Sequence, residues 1–216
     1  MKKLLCTLTS LLFATSLAAS GIPKMAPGKA LTPEEKAIER FNSGSDHLAR
    51  AAKIQQEAAS ASGERLEKLH KKAQAEFEKA SKDFTKATEL NPQMYQAHTQ
   101  LGFALRKLGN YPEALASYDR ALAIFPNLSP ALEYRAEAYL GLNRLEEVKH
   151  TYMLLFSGDR PRADELAAAM KSWVEQRRTD PGDVAPETID AFEQWLAARR
   201  QVASQTSDLV TPKKSW

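Results

Sequence analysis

From Thr32 onward, apolar residues recur at steps of three and four, the spacing that places them on one face of a helix. The first stripe is Ile38, Phe41, Leu48, Ala51 and Ala52, with Gly44 on the same line. Thr32-Pro33-Glu34-Glu35 supplies its start: a threonine N-cap, proline at the first helical position and a glutamate that closes a capping box. The pattern predicts a helix running to about Ser60, roughly 40 Å at ~1.5 Å per residue. Ser60-Ala61-Ser62-Gly63 predicts a turn. A second long helix then carries Leu66, Leu69, Ala73, Phe77, Ala80, Phe84, Ala87 and Leu90 on one face. The segments ARAAKIQQEAAS and ERLEKLHKKAQAE between the two apolar ends are charged and alanine-rich, as an exposed helical arm requires.

The next stretch, YQAHTQLGFALRKLGNYPEALASYDRALAIFPNL, spans residues 95–128. Leu101-Gly102, Leu105, Gly109, Tyr111, Ala114, Tyr118, Ala121 and Pro126 stand in it at the positions of a helix–turn–helix unit. Ala80, Phe84, Ala87 and Pro92 each recur 34 residues later as Ala114, Tyr118, Ala121 and Pro126. Those residues and that period resemble the tetratricopeptide repeat family. A third unit starts at Ser129-Pro130, with Ala136, Tyr139, Val148 and Tyr152 in the matching places. It departs from the pattern at Arg135, where an apolar residue is expected, and at Arg160, where proline is. Two further helices, about Pro161–Arg177 and Pro186–Val202, carry Leu166, Ala169, Met170, Trp173 and then Ile189, Phe192, Trp195, Leu196; they resemble a degenerate fourth unit that caps the stack.

The resemblance implies an all-α fold, a right-handed helical solenoid with an extended N-terminal hairpin and a C-terminal capping helix pair. The chain divides accordingly into a signal peptide (1–20), a flexible leader (21–31), a long helical hairpin that is a stretched first repeat (32–92), repeats proper (93–160), capping helices (161–203) and a disordered tail (204–216). The signal reading rests on the basic start MKK, an apolar run too short for the ~20 residues of a spanning helix, and small residues at Ala18 and Ser20 before Gly21. It implies a periplasmic or secreted protein, soluble once the signal is removed.

Composition narrows the chemistry. Loss of Lys2 and Lys3 with the signal lowers the formal charge from +3 to +1, too little surplus for a general nucleic-acid binder. Cys6, the only cysteine, lies inside the signal, so disulfides, thiolate metal sites and cysteine nucleophiles are not expected in the mature chain. His47, His70, His98 and His150 show no HExxH spacing, and His98 stands where a packed, hydrogen-bonded side chain is expected. No GxSxG, P-loop or GxGxxG occurs. Neither enzyme activity, nor a metal, nor a cofactor is expected.

What the resemblance does imply is a concave groove for a protein or peptide, formed by first-helix side chains of successive repeats. The matching positions are Gln96, Thr99, Phe103, Arg106 and Lys107, then Glu133, Glu137 and Leu140, with Asp164, Ala167 and Lys171 in the fourth unit. An exposed Phe103 beside Arg106, opposite Glu133 and Glu137, would offer an aromatic anchor and charges of both signs. The family's clamp for a terminal carboxylate uses Lys and Asn at positions that here hold Thr99, Phe103, Glu133 and Glu137, so that ligand is not expected. The alternative is a self-associating scaffold built on the long hairpin. Trp173 and Trp195 are expected in the core, and LVTPKKSW could dock or be idle.

Overall fold

The computed structural model describes residues 30–210, with the side chains of 204 and 206–210 excepted. The expected signal, nearly all of the leader and the last six residues lie outside the described residues. Those described form helices α1 (Pro33–Ala58), α2 (Gly63–Leu90), α3 (Tyr95–Lys107), α4 (Tyr111–Ile124), α5 (Ser129–Gly141), α6 (Leu145–Gly158), α7 (Arg160–Thr179) and α8 (Pro186–Val210), with no strand among them. Helices adjacent in sequence pack against each other, and α3, α5 and α7 also touch in series, which makes the described residues a helical solenoid of stacked pairs.

The first pair begins as the sequence predicts. Thr32 Oγ1 accepts from the Glu35 amide at 3.2 Å, and the Glu35 carboxylate accepts from the Thr32 amide at 2.8 Å. The closure of a glycine onto an aromatic ring occurs twice. A Cβ built on Gly44 would stand 2.8 Å from Phe84 Cε1, and one on Gly102 would stand 2.6 Å from Tyr118 Cε1. The two glycines therefore let an aromatic ring lie directly on the facing backbone. Gly44 and Phe84 are 40 positions apart in sequence where Gly102 and Tyr118 are 16 apart, a surplus of 24 residues. Shared between two helices, that surplus lengthens the hairpin by about 18 Å at ~1.5 Å per residue.

Ala80, Phe84, Ala87, Ala114, Tyr118 and Ala121 are all fully buried, so the 34-residue period in sequence is a period of core positions. The largest core cluster lies at the C-terminal end, where Val148, Tyr152 and Leu155 of α6 meet Leu166, Met170 and Trp173 of α7 and Ile189, Phe192 and Leu196 of α8. Trp173 is buried and half-buried Trp195 packs onto the same cluster. His98 is half-buried with Nε2 3.0 Å from the Pro92 carbonyl, and burial holds its pKa below the usual imidazole value.

Three places differ from expectation. At Arg135 the missing apolar contact is replaced by an ion pair: Nη1 donates to Asp119 Oδ1 at 2.7 Å, and the guanidinium lies 5.9 Å from the Tyr139 ring centre. At the exit of the third unit no proline is needed, because Asp159 ends α6 and its carboxylate caps α7 by accepting from the Arg162 amide at 3.3 Å. The third is a correction to the tail: α8 runs on to Val210, through residues expected to be disordered. Neither proline nor glycine stands between Pro186 and Val210, so nothing in the backbone chemistry stops it.

Candidate groove between the first helices of the repeats

Gln96, Gln100, Phe103 and Lys107 follow one another along a single face of α3 at helical spacing. Gln96 is exposed; Phe103 and Lys107 are half-buried. Phe103 does not stand free as the sequence reading expected. Its ring lies edge-on to Phe77 of α2 at 6.3 Å and against Tyr134 of α5 at 5.3 Å, so it bridges three helices. Lys107 Nζ sits 5.4 Å from the Phe103 ring centre.

The other expected groove residues lie deeper. Thr99 is buried, its hydroxyl donating to the Tyr95 carbonyl at 2.9 Å. Leu140 is buried in the C-terminal core cluster. Arg106 is buried and bonded to Glu137, while Glu133, 1% exposed, is bonded to Arg162 of α7. Arg106, Glu133 and Glu137, expected to present two signs of charge to a ligand, thus present them mainly to each other or to α7. The physical reason is spacing: neighbouring first helices sit close enough that side chains on their shared border meet before a ligand could intervene.

This border network is organised around Tyr134. The Arg106 guanidinium lies 5.5 Å from its ring centre and that of Arg162 lies 5.8 Å away, so the ring is flanked by two cations. Arg162 also donates to Glu165 Oε2 at 2.8 Å. Burial opposes the charged form of Arg106, but the Glu137 carboxylate together with Tyr118 and Tyr134 outweighs it, and its pKa is raised. Glu133 is pushed up to about 8, first by burial and then by repulsion from Glu137, with Arg162 opposing both. Tyr118 is raised by burial; its hydroxyl touches the Arg106 neighbourhood but makes no hydrogen bond of acceptable geometry. Tyr134 is what the sequence reading missed. It sits one position after Glu133 on a helix whose apolar stripe is weak, so no periodicity marked it.

The fourth-unit positions fall elsewhere. On α7, Arg162 and Trp173 point towards α5, bonding Glu133 and Asn143. Asp164, Ala167 and Lys171 lie roughly half a turn round the helix from that line, at ~100° per residue. They line a separate cleft facing α8. The described residues bring no three metal-ligating side chains together.

Comparison with known proteins agrees with the pattern. Residues 95–128 match the family model of the tetratricopeptide repeat. No curated protein matches the chain in sequence. Among solved structures, the chain is similar to the first such domain of Spaghetti (RPAP3) bound to an HSP90 peptide, at 18% identity over 77% of this chain and 97% of that one, TM-score 0.45. It is also similar to the second such domain of human RPAP3 with an HSP70 peptide, at 19% identity over 62% and 97%, TM-score 0.43. The TPR2B domain of yeast Sti1 in its Hsp70 complex superposes with TM-score 0.40 at 15% identity over 76% and 98%. These likenesses are too distant to carry a ligand across. Residues 95–128 thus match one tetratricopeptide repeat, and the glycine-to-ring packing inside it recurs between α1 and α2.

Proposed function

We propose that this protein is an exported, non-catalytic adaptor that holds a polypeptide partner on the concave face of its repeats. The observation that carries the reading is the half-exposed aromatic pair Phe103–Tyr134, with Lys107 over one ring and Gln96 and Gln100 continuing the same face. Aromatic side chains set among amide and cationic groups suit the apolar side chains and backbone of an extended or helical peptide. Because Arg106 is engaged by Glu137 and Arg162 by Glu133, the face has little to offer a terminal carboxylate. The apolar run and small-residue exit at the N-terminus support export, and the setting we infer is assembly of an envelope or secretion complex. The scaffold alternative has less behind it, because the outer surface of the α1–α2 hairpin carries only one exposed large apolar residue among those described, Ile38.

The test places a photo-crosslinking amino acid at Gln96 in the native host, and separately at Arg120, which is exposed on α4, a second helix of a repeat. Adducts are expected from Gln96 and not from Arg120. Phe103→Ala combined with Lys107→Glu should reduce them at least tenfold while circular dichroism stays unchanged. Equal adducts from both positions, or full capture by the double variant, would remove the groove from the account.

A further inference from the structure

Where α6, α7 and α8 meet, the surface folds into a cleft of about 280 Å³. Its small side chains, Ala167, Ala168 and Ala203, leave room for a ligand's methylene groups. Tyr152, Asp164, Lys171 and Arg200 supply its polar groups. Tyr152 is 1% exposed, held by Phe156 and edge-on to Trp195 at 5.6 Å. Its hydroxyl has no hydrogen-bond partner among the described residues, and its side chain forms part of the cleft's lining. Burial raises its pKa, which keeps it protonated and a donor.

The charge balance in the cleft is one-sided. Lys171 and Arg200 line it against the single carboxylate of Asp164. Arg200 is exposed and has no ion-pair or hydrogen-bond partner among the described residues. The carboxylate nearest Lys171 is Glu175 at 3.5 Å, both ends being more than half exposed. An uncommitted guanidinium, a loosely paired ammonium and a buried hydroxyl with a spare proton have one common complement, a carboxylate. Asp164 repels a group carrying two charges, such as phosphate, more strongly than a singly charged one.

We propose that this cleft takes acidic side chains of a protein partner, the carboxylate accepting from Tyr152 and Arg200 while its methylenes lie on the alanines. It lies on the opposite side of α7 from the Arg162–Glu133 contact, so it is a second site and stands or falls independently of the Phe103 groove.

The test titrates the purified full chain with end-blocked tetraglutamate, end-blocked tetraglutamine and inorganic phosphate, following the amide NMR signals of Ala167, Ala168 and Ala203. Tetraglutamate should shift these signals saturably, at least tenfold more tightly than tetraglutamine, and more weakly as salt rises. Arg200→Glu should weaken it at least tenfold. Tyr152→Phe, which keeps the ring and the packing, should weaken it about threefold to tenfold. Phe103→Ala should leave it unchanged. Equal shifts by tetraglutamine, tighter binding of phosphate than of tetraglutamate, or indifference to Arg200→Glu would each overturn the proposal.

Discussion

At the scale of single residues, the fold depends on places where a side chain is absent. A methyl group on Gly102 would meet the fully buried Tyr118 ring at 2.6 Å, and one on Gly44 would meet Phe84 at 2.8 Å. Neither ring has empty space to move into, so the helices would have to part. Alanine gains up to ~1 kcal/mol over glycine inside a helix, but overpacking costs about 1–3 kcal/mol. Gly102→Ala should therefore show a net loss of about 1–2 kcal/mol in urea unfolding. Gly158 offers the control, since a Cβ there meets nothing within 4 Å. Gly158→Ala should leave stability unchanged or raise it. The glycines were legible in the sequence because the repeat pattern places them, whereas Tyr134 was not, because its role comes from two arginines on other helices.

Among the elements, the stretched hairpin has the most to explain. Its core is thin, mostly alanine with Leu69, Phe77 and Phe84, so polar contacts along its edge take on part of the alignment. Arg40 and Ser43 bond Asp83, while His47, Arg50 and Lys79 converge on Glu76 at 2.7, 2.9 and 2.6 Å. Lys79 and then His47 hold the Glu76 carboxyl down to about 2. A depressed carboxyl stabilises the fold above its unfolded value of 4.5, and that stability is lost as pH falls from there towards 2. Glu76→Gln should cost about 0.5–1 kcal/mol at neutral pH, as a largely surface network would. The difference from wild type should vanish by about pH 2, read from thermal unfolding across that range. The hairpin's length and register could be read from apolar spacing, but the choice of Glu76 as its hub could not, since several glutamates on α2 have equivalent sequence surroundings.

Across the whole molecule, one buried charge network ties three successive first helices together: Arg106 of α3, Glu137 and Glu133 of α5, and Arg162 with Glu165 of α7. Its weak point is Glu133, raised to about 8 by burial and Glu137 against the pull of Arg162. A raised carboxyl stabilises the fold fully below its unfolded value of 4.5, and that stability is lost as pH rises through 8. Wild type should therefore lose on the order of 2 kcal/mol between pH 5 and pH 8 that Glu133→Gln does not lose. Chemical denaturation at the two pH values measures this, and parallel curves for the two proteins would contradict it. Glutamine keeps an acceptor for Arg162 and removes the group that titrates.

Periodic burial determined most of the architecture, and periodic burial is written in the chain. Helix starts, the 34-residue recurrence, the long hairpin and the inward tryptophans follow from local spacing and capping chemistry, which need no knowledge of distant residues. Three things were settled only by tertiary contact. The border charges Arg106, Glu133 and Glu137 turned inward to one another and to α7 because adjacent first helices approach too closely to leave them in the groove. Asp164 and Lys171 moved to a separate cleft because α7 is oriented by Arg162 and Trp173, whose partners lie on or beside α5. Tyr152 and Arg200, 48 residues apart in sequence, came together only when α8 folded back over α7. A sequence pattern reports which face of a helix is buried, but which neighbour a polar side chain finds depends on how whole helices are rotated against one another.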